Sequence, residues 1–178
     1  MVHEHPSLAS LDLGNSTNVV KNRNHIHNEG LAAIIEGIAQ SKDYSLIQEL
    51  YLSYCSLTAE GIQRFARIQM SGVQMNLQIL DLSSNDLGSE TPTYLRDVIP
   101  TLISLNLSHT KLGKKGAIDL AVYLKEATNR NNGFAIMRNL DLSHNNITST
   151  GFLKLVSRMK KSSALLYLNF SYNDFSTG

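Results

Sequence analysis

Six times along the chain, hydrophobic and polar residues fall in the order apolar-x-x-apolar-x-apolar. The segments are residues 8–13, 47–52, 77–82, 102–107, 137–142 and 165–170. Apolar residues alternating with polar ones over so short a run predict half-buried strands. Three places after the last apolar position come Cys55, Asn85, Thr110, Asn145 and Asn173, and two places further Leu57, Leu87, Leu112, Ile147 and Phe175. From the second unit to the fifth, Gly61, Thr91, Gly116 and Gly151 follow four residues later. Each opens a run of helical period, such as residues 116–124. The pattern is therefore a strand–turn–helix unit repeated about every thirty residues, a period that marks a stacked array.

Each position has a physical reason. Leucines at the first, fourth and sixth places turn to one side of a short parallel strand and meet the helix of the same unit. One unit cannot bury that face alone, but a stack forms a continuous core. The Asn column turns the chain away from the strand, and its amides can bond backbone groups of neighbouring turns that would otherwise be buried unpaired. Thr110 substitutes in part, and Cys55 weakly, through a poor thiol donor. The recurrent glycine is expected to permit a tight turn into the helix. In the third unit Thr91 is expected as N-cap, with Pro92 in the first helical turn.

These residues resemble the leucine-rich repeat family, L-x-x-L-x-L-x-x-(N/C/T)-x-L, over about residue 8 to the end. The subtype they look most like is the ribonuclease-inhibitor-like one, with a true helix on the outer side. The resemblance implies an α/β solenoid, a horseshoe with a parallel β-sheet on its concave face and helices on its convex face. Residues 1–178 then form a single domain, with repeats starting near 8, 47, 77, 102, 137 and 165, the last truncated. The spacing is less regular than in ribonuclease inhibitor. In this it resembles actin-regulatory proteins and bacterial effectors of the same family.

The first repeat is long because of an insertion within residues 14–23, expected as a rim loop, either a ligand-reaching arm or an atypical turn. The fourth is long through residues 126–133, which read as an extended helix end and a turn. Arrays of this kind usually need polar caps. None is evident at either end, so the chain reads as a fragment of a longer protein, a monomer with end-to-end association open to it.

Composition narrows the function. A formal net charge of +1 gives no global field toward nucleic acid or an anionic membrane, and no apolar run is long enough to span a bilayer. The N-terminus lacks an apolar signal region, which points to a cytoplasmic protein, or one delivered into a host cytoplasm if a bacterial effector. The single cysteine excludes an internal disulfide framework, and its place in the turn column makes Cys55 a structural thiol. Phosphate-loop, zinc-protease and nucleophile-elbow motifs are absent, so no enzyme, cofactor or metal is expected.

What remains is recognition of a protein partner. Strand residues between the leucines face away from the core, and those at the third, fifth, seventh and eighth positions point to the concave surface. From them come the candidate contact residues Glu49, Tyr51, Tyr54, Asp81, His109, Asp141, His144, Tyr167 and Tyr172. Tyrosine is the residue type that tends to dominate interface energy. His109 and His144 stand at equivalent places in neighbouring repeats; with Asp81 and Asp141 they suggest zinc, but a solvated pair is the plainer reading. Lys111, Lys114, Lys115, Lys154, Arg158, Lys160 and Lys161 make a basic patch on the outer side, read as a solvated face. The alternative function is a regulatory or sensor module of a larger protein, bacterial effector, actin-regulator-like or GTPase-regulator-like, whose activity lies elsewhere in the chain.

Overall fold

The computed structural model describes residues 8–14, 24–40, 47–70, 75–131, 136–159 and 164–176, excepting the side chains of residues 70 and 125–131. The proposed rim loop, apart from Gly14, lies outside them, as do residues 132 and 133, Lys160 and Lys161. Six strands, β1 Ser10–Asp12, β2 Glu49–Tyr51, β3 Ile79–Asp81, β4 Ser104–Asn106, β5 Asn139–Asp141 and β6 Tyr167–Asn169, form one open parallel sheet in chain order. Between them run α1 His27–Gln40, α2 Ala59–Met70, α3 Thr91–Tyr94, α4 Gly113–Asn131 and α5 Ser149–Met159. The architecture is an α/β solenoid.

Register follows the repeat without slippage. Leu11, Leu50, Leu80, Leu105, Leu140 and Leu168 are Cα partners in succession. One carbonyl per strand clamps the next repeat: Ala9 O accepts from the amides of Gln48 and Glu49, and Arg138 O from those of Leu166 and Tyr167. A one-residue slip would turn every core leucine outward, so burial enforces this pairing.

The core is built from the repeat's apolar columns. Leu50, Leu80, Leu105 and Leu140 are buried, as are Leu52, Leu82, Leu107 and Leu142 beside them and Leu57, Leu87, Leu112 and Ile147 after the turn. Replacing one of these leucines by alanine should cost about 2–5 kcal/mol. Burial requires a neighbouring repeat: Leu168, the β6 member of the column, is 37% exposed where Leu140 is 0%. Helices supply the other wall at helical spacing, with Ile62, Phe65 and Ala66 from α2 and Ala117, Leu120, Ala121 and Leu124 from α4.

The third repeat departs from the expected full helix. It spans 25 residues to the next start, and α3 is only four residues long, followed by a 3-10 turn at Ile99–Thr101. Pro100 has no amide to donate and disfavours a helical Ile99, so the chain turns instead. Thr91 is not the N-cap; Glu90 is, without a side-chain cap bond, while Thr91 Oγ1 donates to Gly88 O at 2.9 Å.

The recurrent glycines also act differently from expectation. Gly61, Gly116 and Gly151 do not take positive φ. They sit where repeats approach closely: a Cβ on Gly116 would lie 2.6 Å from Leu112 Cδ1 and 3.1 Å from Ser89 O, and one on Gly61 would strike Asn28 Oδ1. Positive φ is met by Gly88 and Gly113, which lead into the third and fourth helices.

Candidate functional site

The turn column is a hydrogen-bonded ladder. Asn85 Nδ2 donates to Leu52 O at 2.7 Å and Leu82 O at 2.9 Å, and its Oδ1 accepts from Leu57 N. Asn145 and Asn173 repeat the arrangement, each holding the carbonyl and amides of the preceding turn. Cys55 stands in the same column, fully buried, with its thiol directed at Leu13 O, 3.3 Å away. Burial, with the charges of Asp12 and Asp81, pushes that thiol up to about 11. Thiolate is the reactive form, so Cys55 is held inert, as a structural thiol should be.

This ladder holds the strand ends in place, and with them the surface opposite the helices. Only the third and fifth positions lie on strands. The seventh and eighth form a turn at the strand's end, which corrects the assignment of Tyr54, His109, His144 and Tyr172 to strands. The cause is backbone geometry: Tyr54, Ser84, His109, His144 and Tyr172 all have φ between 54 and 56°, which ends the extended chain. The candidate residues therefore divide between the sheet face, with Glu49, Tyr51, Asp81, Asp141 and Tyr167, and a rim along the strand ends.

On the sheet face, Tyr51 Oη donates to Glu49 Oε2 at 3.3 Å. Burial raises the Tyr51 phenol above its ordinary value, and Glu49, Asp12 and Asp81 add to the effect. Three carboxylates thus act on one phenol. Asp81 Oδ1 accepts from Ser83 N at 2.8 Å and Oδ2 from Asn106 Nδ2 at 3.2 Å. Asp141 does the same with Ser143 N and Asn169 Nδ2, both at 2.9 Å. These aspartates close the turn after each strand and also carry charge on the surface. The four described columns contain Asp12, Glu49, Asp81 and Asp141 and no lysine or arginine. The acids stand singly in the sequence; the absence of bases along these columns is the signal that joins them.

On the rim, His109 and His144 come together as expected, but as a stack. Their ring centroids are 3.8 Å apart with planes at 14°, and His144 stacks on Tyr172 at 4.1 Å and 12°. Burial and the neighbouring His144 hold His109 below its ordinary value, against the pull of Asp141. Among the described residues, no group of three His, Cys, Asp or Glu side chains is placed to hold a metal. The basic patch is partly neutralised: Lys111 pairs with Asp86 at 2.7 Å, and Lys115 with both Glu90 and Asp119.

Among the described residues, no helix is long and apolar enough to cross a membrane. No curated protein matches the sequence. A family model described as Leucine Rich repeat matches residues 45–66, 73–90, 98–121 and 137–156, the second to fifth strand–turn–helix units. With six strands in unbroken register and an asparagine ladder at their ends, those matches show that these four units are leucine-rich repeats.

Proposed function

We propose that this protein is an interaction scaffold that binds a protein partner through the concave face of its sheet and the adjoining rim. Leucine-rich repeat domains generally mediate protein–protein interaction. The observation that carries the reading is the charge and ring pattern of the four columns: four carboxylates, no lysine or arginine, and tyrosines on a sheet whose backbone is fixed in every repeat. Rigid aromatic side chains offer contact area at low entropic cost, and a one-signed field selects partners of opposite charge. The partner is accordingly a basic protein segment, contacted by Glu49, Tyr51, Asp81, Asp141 and Tyr167 on the strands and by Tyr54, His109, His144 and Tyr172 on the rim.

The test is selection of peptides on the immobilised protein. Enrichment of Lys- and Arg-rich sequences is expected, with affinity falling as salt rises. The variant Glu49→Gln/Asp81→Asn/Asp141→Asn, which keeps side-chain oxygens for the turn amides, should lose that binding, and Tyr51→Ala/Tyr167→Ala should weaken it. Equal capture by both variants and the parent protein would reject the face.

A further inference from the structure

The rim column is an interrupted stack of rings. Tyr54, Ser84, His109, His144 and Tyr172 share one backbone conformation. The first four each donate an amide hydrogen bond to the seventh residue of the next repeat: Ser84 N to Ser108 O at 2.9 Å, His109 N to Ser143 O at 3.0 Å. Their Cα–Cβ bonds therefore leave the turns side by side, one strand spacing of roughly 4.8 Å apart. From His109 onward the rings stack at 3.8 and 4.1 Å. Ser84 is the place where the same geometry would put a ring and the side chain is too small to supply one. Among the described residues, no ring is stacked on the face of His109 turned toward Ser84, and His109 is exposed.

The chemistry of a group that fits there is restricted. It must be planar to continue the stack. It also stands in the field of Asp81, in the same repeat as Ser84, and of Asp141, which acts on His109. The base nearest His109 along the chain, Lys111, is engaged with Asp86. A guanidinium is planar, permanently charged and stacks on aromatic faces; an ammonium lacks the plane, and a phenol lacks the charge.

Resting on the reading that this face binds a basic protein segment, we propose that an arginine side chain of the partner lays its guanidinium over Ser84, flat against the ring of His109. His109, with its proton affinity lowered by burial and by His144, presents a neutral ring to that cation at neutral pH. The serine is then a specificity element, a gap in the column that accepts one planar cation.

The probes are N-acetyl-arginine methylamide and its lysine and tyrosine counterparts, titrated into the full chain at pH 7.5 while the ring resonances of His109 and His144 are followed by NMR. The arginine compound should shift the His109 signals saturably and bind about threefold more tightly than the lysine compound. Ser84→Tyr should abolish the response by filling the gap. Tyrosine is tolerated at this φ, as Tyr54 and Tyr172 show, so this variant should fold. His109→Ala, an exposed position, should abolish binding of the arginine compound measured by saturation transfer. An arginine response that survives either substitution, an equal response to lysine, or a silent His109 overturns the proposal. Selected basic peptides that bind Ser84→Tyr as well as the parent protein refute the gap and leave the face standing. An arginine response without peptide binding refutes the face and leaves the gap standing.

Discussion

The side-chain oxygen of Asn145 accepts from both the backbone amide and the hydroxyl of Thr110, each at 3.0 Å, so the turn of one repeat is tied by the next. The same oxygen takes Leu112 N at 3.0 Å, while Asn145 Nδ2 donates to Leu107 O. All of this is buried. Asn145→Ala removes the acceptor for two backbone amides, and each buried orphan costs about 1–3 kcal/mol. The expected loss is thus about 2–6 kcal/mol by urea unfolding. Thr110→Val should cost less, about 1 kcal/mol, because the hydroxyl's other acceptor, Leu107 O at 2.7 Å, keeps Asn145 as donor. The reverse order would mean that the ladder is not held from the following repeat.

The glycines should respond in opposite directions. Gly37 lies within α1 with nothing within 4 Å of an added Cβ, so Gly37→Ala should stabilise by about 0.5–1 kcal/mol through helix propensity. Gly116 is also helical, but its Cβ would press on Leu112 and on the Ser89 carbonyl. Gly116→Ala should therefore destabilise by about 1–3 kcal/mol despite alanine's better propensity. Gly113, at φ 64° in open space, should lose about 1–2 kcal/mol on the same change, from backbone conformation alone. Thermal melts of the three variants separate propensity, crowding and backbone geometry.

Column arithmetic made the strand register readable in advance, because a side-chain period of two leaves one pairing that buries Leu50, Leu80 and Leu105 together. The Asn ladder was readable for the same reason: an amide in the turn column supplies both donor and acceptor to the neighbouring backbone, which Thr110 and Cys55 do only in part. The helix glycines were not, since a recurring glycine signals either positive φ or close approach, and only coordinates separate Gly113 from Gly116. The end of each strand was hidden too. Nothing in Ser-His or Ser-Tyr announces a left-handed residue, so the pattern puts His109 and Tyr172 on the strand and not in the turn that follows it. The proximity of His109 and His144 followed from the repeat; the extension of their stack to Tyr172, and the gap at Ser84, required the shared φ.

Cys55 should be silent to thiol reagents at pH 8 in the folded protein and react fully in urea, because both burial and a thiolate suppressed by a value near 11 block attack. The linkage has a sign. The folded value lies above the thiol's ordinary 9.0, so the neutral thiol's contribution is complete below pH 9 and is lost as pH rises toward 11. Cys55→Ser should flatten the decline in stability over that window. Rapid labelling at pH 8 without unfolding would contradict the buried position.

The ring stack makes a second linkage, at the acid side. His109 is held below 6.5 first by burial and then by His144, with Asp141 opposing, and Tyr172 closes the far side of His144. A histidine depressed on folding contributes stability above its unfolded value and loses it as pH falls through 6.5 toward the folded value. Protonation places a positive charge 3.8 Å from a second imidazole, so the loss should grow with acidity. His109→Tyr keeps a ring in the stack but does not titrate there. Urea midpoints measured from pH 7.5 down to pH 5 should therefore fall more steeply for the parent protein than for His109→Tyr, with the two curves converging above pH 7. Parallel curves would show that the stack exerts no control over the histidine's proton, and that the neutral face offered at Ser84 owes nothing to His144.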